Sequence, residues 1–341
     1  MKKYTIYAAV AIIILASSII ASAAIFHGLG GIPSEPSPCK TIIVTDDLGR
    51  KIEVPYPAKR VVSLASSISE VICALGSSEV LVAVDKYSLF PPCLQDKVDV
   101  GSGSTPNVEL ILAQEPDVIF TWSYCRVIEE LEGQGVPVYV INPASVDDIL
   151  HEIKAVGQML GNEESAEKLT EFMVGYIEIV KKRTEGLAEE ERPQVYLEGK
   201  QAYRTVSNGT FSHDVVTMAG GINIAGKEPI RYPILAAEYI IAENPDVIVK
   251  CDYSPTPSQK ATEELKEQIA DRPGWNQLDA VKNDRVYILH YSELSVNPRL
   301  VIGLLKLAKG FHPDLFSDID TAAVQTHMYK EIYGVDGVVS E

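Results

Sequence analysis

Between residues 41 and 141, short β-branched apolar runs alternate with stretches whose apolar residues return every three or four positions. Residues 41–45 and 51–54 flank Asp47-Leu48-Gly49 and read as a hairpin. Runs at 60–64, 80–84, 118–122 and 138–141 have the pattern of buried strands. Residues 67–75, 108–113 and 127–131 have helical spacing between them. This alternation predicts a mainly parallel sheet covered by helices. A helical stretch follows, with Ser145 and Asp148 as a capping-box-like start. Ile149, Ile153, Val156 and Leu160 then share one face. Gly161 interrupts, and Asn162 can cap a second helix. That helix reads as running to about residue 189, with Ala166, Leu169, Met173, Tyr176 and Val180 on one face. Its length is roughly 40 Å, and Arg192-Pro193 ends it. Strands return at 195–197, 247–250 and 286–289, with helices at 213–219, 236–242, 262–270 and 300–309. The pattern predicts an α/β protein with an N-terminal lobe over residues 41–161, a connecting helix over 162–190 and a C-terminal lobe over 191–341.

An internal repeat relates the lobes. Residues 109–120 read ELILAQEPDVIF and residues 238–249 read EYIIAENPDVIV, with seven of twelve positions identical. Each copy is a short helix, a Pro that stops it and a buried strand. Each has a Glu, Glu109 or Glu238, near the helix start, where a carboxylate suits the helix dipole. Each continues into a loop with a Tyr and a Cys, Tyr124-Cys125 and Cys251-Asp252-Tyr253. Those loops leave the carboxyl ends of strands, where open α/β sheets bind ligands.

The N-terminus departs from this pattern. After Lys2 and Lys3, residues 6–26 carry no charge and are long enough to cross a bilayer as a helix. A cleaved signal peptide, with Ala21-Ser22-Ala23 as the cleavage site, and an uncleaved membrane anchor over residues 1–27 both fit. In either case the rest of the chain is exported to the cell surface or periplasm. Residues 28–40, rich in Gly, Pro and Ser, read as a flexible tether. Ser37-Pro38 before Cys39 does not resemble a bacterial lipobox.

Composition narrows the function. The 341 residues carry a formal net charge of −17, which argues against a non-specific nucleic-acid binder because phosphate is repelled. Five cysteines cannot all pair internally. Cys73 reads as a core thiol. Cys93 and Cys125 fall in loops expected to share one sheet edge, which allows a disulfide outside the cell. Nucleophile-elbow, P-loop, dinucleotide and zinc-protease motifs are absent from the sequence, and no two histidines stand at i, i+4. No catalytic residue, resident metal or cofactor is assigned. Gly101-Ser102-Gly103-Ser104 reads as a plain loop.

Aromatic and polar residues gather instead at predicted strand ends. In the first lobe they are Tyr87, Trp122 and Tyr124. In the second they are Tyr203 with Arg204, Arg231 with Tyr232, then Tyr253 and Tyr291. Aromatics with polar tips offer contact area at low entropic cost and suit a bulky conjugated or chelated ligand.

Residues 60–70 (RVVSLASSISE), then Ala74-Leu75-Gly76, resemble the opening of substrate-binding proteins of ABC importers for iron complexes and cobalamin. The twin Glu…Pro-Asp-Val-Ile copies, Ala219-Gly220-Gly221-Ile222-Asn223 and Asn297-Pro298-Arg299 resemble the same family, in the same order. The resemblance covers about residues 41 to 315. It implies two Rossmann-like lobes with mainly parallel sheets, joined by a single long α-helix, with the ligand in the cleft between lobes. It implies a monomer whose partners are an ABC permease dimer and its cytoplasmic ATPase. Glu109 and Glu238 would dock onto permease arginines. Tyr87, Trp122 and Tyr232 would line the cleft, with looser matches around Tyr203 and Tyr291. Arg299 would make a helix-start contact, and the stretch from Asp318 would be an extra helix and tail. The hairpin over 41–54 is more typical of iron-chelate members, so the expected ligand is a ferric siderophore-type complex, with cobalamin the alternative. Arg204, Arg231 and Arg299 suit an anionic ligand. A surface hydrolase on a two-lobed scaffold and a metal-cluster scaffold using the loop cysteines are the rival classes.

Overall fold

The computed structural model describes residues 40–254 and 258–335. The leader or anchor, the tether up to Cys39 and the final tail lie outside the described residues. The first elements are the antiparallel pair β1 (Thr41–Thr45) and β2 (Lys51–Pro55), with Thr41 opposite Pro55. The N-terminal lobe then runs β3 (Val61–Ser63), α1 (Ser66–Ala74), β4 (Leu81–Val84), β5 (Val98–Asp99), β6 (Gly101–Ser102), β7 (Thr105–Pro106), α2 (Val108–Leu112), β8 (Val118–Trp122), α3 (Ile128–Gly133) and β9 (Val138–Ile141). Its five-stranded sheet has the order β5-β4-β3-β8-β9, parallel throughout. Helices α4 (Val146–Leu160) and α5 (Glu163–Thr184) follow. The C-terminal lobe holds β10 (Gln194–Glu198), α6 (Phe211–Met218), β11 (Ile222–Asn223), α7 (Ala237–Glu243), β12 (Val247–Asp252), α8 (Gln259–Ala270), α9 (Asp279–Lys282), β13 (Val286–His290), α10 (Leu300–Phe311) and α11 (Thr321–Tyr333). Its parallel sheet has the order β11-β10-β12-β13.

The expected connecting helix is present but shorter. Ser145 and Asp148 make the full capping box of α4, and Gly161 ends α4 in the left-handed region. Helix α5 has 22 residues, about 33 Å at 1.5 Å per residue, and stops at Thr184 rather than near residue 189. Gly186 sits just beyond that end, and Arg192 caps it from outside, donating to the carbonyls of Thr184 at 2.8 Å and Leu187 at 3.3 Å.

The two repeat copies are built alike. The residue before each Pro, Glu115 or Asn244, is left-handed, with φ of 47° and 44°. The following Asp pins the start of a neighbouring strand. Asp117 accepts from the amides of Lys59 and Arg60 at 2.6 and 2.8 Å, and Asp246 accepts from Gln194 N at 2.8 Å. The Pro-Asp pair is thus a strand-entry clamp used once per lobe. Strands β8 and β12 are buried on both faces, as central parallel strands are.

The largest hydrophobic cluster draws on both lobes. It takes Ile68 and Phe120 from the first, Val249 and Leu289 from the second, Met173 and Ile177 from α5, and Leu304 from α10. Helix α10 is apolar nearly all round and buried along its length. Each sheet also has its own outer cluster, around Ile119 and Val140 in one lobe and Tyr196 and Trp275 in the other.

A buried ion pair crosses between the lobes. Arg299, at the start of α10, donates Nε–H and Nη2–H to the two oxygens of Glu70 on α1, at 2.8 and 2.5 Å. Tyr333 of α11 donates to the same carboxylate at 2.6 Å. Phe90 lies with its ring 4.4 Å from the guanidinium carbon and packs against Tyr329 and Tyr333. Burial works against the Arg299 charge, and Glu70 more than offsets it, so the guanidinium is held above its ordinary value. The expected helix-start role of Arg299 therefore gains a second part, as a bond to the other lobe.

The cysteine expectation is corrected. Cys93 does not meet Cys125, which is buried in the outer core of the N-terminal lobe. Its sulfur lies 2.8 Å from Cys73 instead.

Removing one partner of a buried pair leaves an uncompensated charge, at a cost of about 3–5 kcal/mol. Glu70→Gln should lose about that much in urea unfolding. The double change Glu70→Met with Arg299→Met should lose clearly less, because no charge is then stranded. Equal losses would show that packing, not charge, holds this junction.

Candidate functional site

The carboxyl ends of β4 and β8 carry the first wall of the site. Trp122 is the last residue of β8 and is half-buried, with its ring against the central core. Tyr124 stacks on it, rings 6.0 Å apart and 7° from parallel. Tyr124 is 62% exposed, yet its phenol is pushed up to about 12, chiefly by desolvation, with Asp85, Tyr232 and Tyr87 adding to it. Tyr87 is exposed, with the Lys86 ammonium 5.0 Å from its ring centre. Gly103, in the β6–β7 turn, lies against the carbonyl of Leu64. A Cβ there would stand 2.2 Å from that oxygen, so the turn can approach the wall only as glycine.

The second wall comes from β12, β13 and the loop before α7. Tyr253 and Tyr291 stack with centroids 5.1 Å apart and 4° between planes. His290 backs Tyr291 at 4.7 Å. Its Nε2 donates to the Ser254 carbonyl at 3.1 Å, and Nδ1 bonds the Ser292 hydroxyl at 2.5 Å. Burial, and then Arg299, push the imidazole below its ordinary range, so it is neutral at pH 7. Burial holds the Tyr253 and Tyr291 phenols above theirs. Tyr232 is half exposed on a lip, where residues 203–207 and 231–235 bond through their backbones, Thr205 N to Pro233 O and Ser207 N to Arg231 O, both 2.9 Å. Tyr232 is close enough to act electrostatically on both Tyr124 and Tyr253. The two aromatic groups thus share a near neighbour and together make up the candidate site.

The other expected residues sort differently. Arg204 and Arg231 are exposed on the lip. Tyr203 is left-handed, φ 65°, and its ring packs on Trp275 at 5.9 Å and under Arg272 at 5.0 Å, inside the outer core of its lobe. That corner is organised by Glu198, fully buried, which accepts from both terminal nitrogens of Arg272 and from Tyr203 N. Burial pushes Glu198 up, but Arg272, Tyr203 N and Lys250 outweigh it and hold the carboxyl below its usual range. A cavity of about 290 Å³ lies beside this corner, with Lys200, Lys250, Asp252, Tyr253 and Arg272 in its lining.

Asp85, which no sequence motif marks, also lies at the strand end that leads to Tyr87. It follows β4, is 4% exposed and accepts from the Ser88 hydroxyl at 2.6 Å. Desolvation pushes it up to about 6, against the Ser88 hydroxyl and the Tyr87 amide. Its place two residues before Tyr87, at the same strand end, was the available signal.

Glu109 and Glu238 are both exposed, in the first turns of α2 and α7. Asn107 caps α2 by accepting from Leu110 N at 3.0 Å. Each Glu is followed by a partly exposed apolar residue, Leu110 at 43% and Tyr239 at 36%, and then by a fully buried Ile. The repeat therefore presents the same carboxylate-and-apolar pair once on each lobe.

The chain matches the periplasmic binding protein family over residues 61–292. It is 27% identical over 259 residues to the vitamin B12-binding protein of Vibrio cholerae, covering 74% of this chain and 87% of that protein. It is 25% identical over 287 residues to an ABC transporter substrate-binding lipoprotein of Bacillus subtilis, YvrC, covering 81% and 87%. Among solved structures, the molybdate-binding protein MolA of Haemophilus influenzae superposes with a TM-score of 0.75 at 21% identity, over 87% of this chain and 99% of that one. These relatives are solute-binding proteins rather than enzymes, which speaks against the hydrolase class. Among the described residues no helix is long and apolar enough to cross a membrane.

The shift of Asp85 makes stability depend on pH. Its folded value, about 6, lies above an unfolded value of about 3.9, so the folded chain holds the proton more tightly. The stability this contributes is fully present below about pH 4 and is lost as pH rises through about 6. Asp85→Asn removes that loss. Its stability relative to the parent should improve by about 2–3 kcal/mol between pH 4 and pH 7, measured as the change in urea midpoints. A pH-independent difference would mean that Asp85 is solvated in the folded chain.

Proposed function

The chain belongs to the periplasmic binding protein family, and on that premise we propose that it is the extracytoplasmic receptor of an ABC importer. It captures a large, flat metal complex, cobalamin foremost, and hands it to a membrane permease powered by a cytoplasmic ATPase. The observation that carries this reading is the pair of aromatic walls, Trp122 on Tyr124 and Tyr253 on Tyr291, with Tyr232 within electrostatic reach of both. Stacked rings offer broad apolar faces. Phenols held protonated offer hydrogen-bond donors to the amide rim of a corrin. The Vibrio relative, a vitamin B12-binding protein, supports the same ligand. A ferric siderophore complex is the second reading. The β1–β2 hairpin and the exposed Arg204 and Arg231 on the lip favour it, because guanidinium suits an anionic chelate.

One titration separates the two. Of the two tryptophans, Trp275 is fully buried, so quenching should report Trp122. Cyanocobalamin should quench in a saturable way, and Trp122→Phe should lose the signal while keeping most of the affinity. Tyr124→Ala and Tyr232→Ala should each weaken binding by about 1–3 kcal/mol with near-unchanged melting. Saturation by a ferric hydroxamate or catecholate complex alone would establish the second reading. Binding of neither would overturn the receptor assignment for metal complexes.

Delivery is tested at the repeat. Glu109→Arg with Glu238→Arg should leave ligand affinity and melting near those of the parent, and should abolish ligand-dependent ATPase stimulation of the reconstituted importer. Rim charges act on encounter and orientation rather than on the cleft. Full stimulation by the double variant would remove both glutamates from docking.

A further inference from the structure

Cys73 lies in the last turn of α1, and Cys93 sits in the single helical turn Pro92–Leu94. Their sulfurs are 2.8 Å apart, nearer than two thiols stand in van der Waals contact. Cys73 is buried and Cys93 is exposed. The remaining described cysteines lie elsewhere, Cys125 in the outer core of the N-terminal lobe and Cys251 in the central core. The segment between Cys73 and Cys93 carries β4, Asp85, Tyr87 and Phe90. It thus contains one edge of the candidate site and the ring that covers Arg299.

We infer that Cys73 and Cys93 form a structural disulfide in the exported protein, which fastens the Asp85–Tyr87 edge of the site to α1. The oxidising surroundings follow from the extracytoplasmic reading; the bond itself is independent of which ligand is bound. The oxidant is a disulfide-bearing thiol oxidant. The Cys93 thiolate, the accessible one, attacks it, breaking the oxidant's S–S bond and releasing one half as a thiol. Cys73 then loses its proton to solvent and attacks Cys93 Sγ, and the second half leaves as a thiol. The two cysteines give up two protons and two electrons, and the oxidant takes them up as two thiols. Burial, then Cys93 and Glu70, hold the Cys73 thiol well above its ordinary range, while Lys97 opposes them. A cross-link over this span also restricts the unfolded chain.

The test uses the purified chain, fully reduced and then exposed to oxidised glutathione. Its mass should fall by that of two hydrogens, and thiols alkylated after denaturation should drop from five to three. Trypsin should release peptides 61–86 and 87–97 joined, and reductant should separate them. Reductant should lower the melting temperature of the oxidised parent by several degrees and leave Cys93→Ser unaffected, with Cys93→Ser melting like the reduced parent. Five free thiols after oxidation, or peptide 87–97 joined instead to the Cys125 peptide 98–126, would overturn the assignment. Ligand titration reports on the receptor reading separately, so loss of one leaves the other standing.

Discussion

Glu70 and Arg299 hold together two lobes that are otherwise built separately. Each lobe has a complete parallel sheet and an outer core of its own. What makes them one body is the central cluster along α4, α5 and α10, and the ion pair that ties α1 to the start of α10. The pair is nearly dry, with Glu70 2% exposed, and every acceptor on the carboxylate has a donor in reach. A charge pair in such surroundings contributes little if it is compared with packed hydrocarbon, and a great deal if either half is lost. Its value lies in geometry. A bidentate guanidinium fixes the angle at which α1 meets α10, and the three rings of Phe90, Tyr329 and Tyr333 close over it.

The site inherits that geometry. Both aromatic walls stand on strand carboxyl ends, and the strands are set by the Pro-Asp clamps at their neighbours' entries. Polar support is placed one layer back. Ser88 orients Asp85, Ser254 and Ser292 orient His290, and Glu198 gathers Arg272, Lys250 and the Tyr203 amide. The rings stand in stacked pairs, with Tyr124 and Tyr253 partly exposed. This division, stiff polar bonding behind and open aromatic surface in front, suits recognition of a ligand by shape and stacking more than catalysis.

Much of the fold was legible because burial on both faces leaves a strong mark. Residues 118–122 and 138–141 are strands over just the span their β-branched runs predict. The repeat was legible for the same reason, since Pro and Asp have fixed tasks at a helix stop and a strand entry. Helix α5 is shorter than expected because its charged surface pattern continues past Thr184, while Arg192, reaching back from eight residues on, bonds the Thr184 carbonyl where the helix ends. Tyr203 looked like any other strand-end aromatic; its left-handed backbone and the guanidinium of Arg272, both tertiary matters, turn its ring into the core. The Glu70–Arg299 pair spans 229 residues, and no local pattern announces such a bond. A shared sheet edge suggests Cys125 as the neighbour of Cys93, but the turn at Pro92 carries Cys93 to α1.

A shared core also limits how occupancy can be signalled. Lobes fastened at Glu70 and sharing one core would have to break buried contacts to swing shut over a guest. On the proposed reading, empty and filled receptors then differ mainly in what fills the candidate site around Tyr124 and Tyr232. A partner seated on Glu109 and Glu238 would inspect the texture of that mouth, not the posture of the molecule, and the cargo itself would become part of the message.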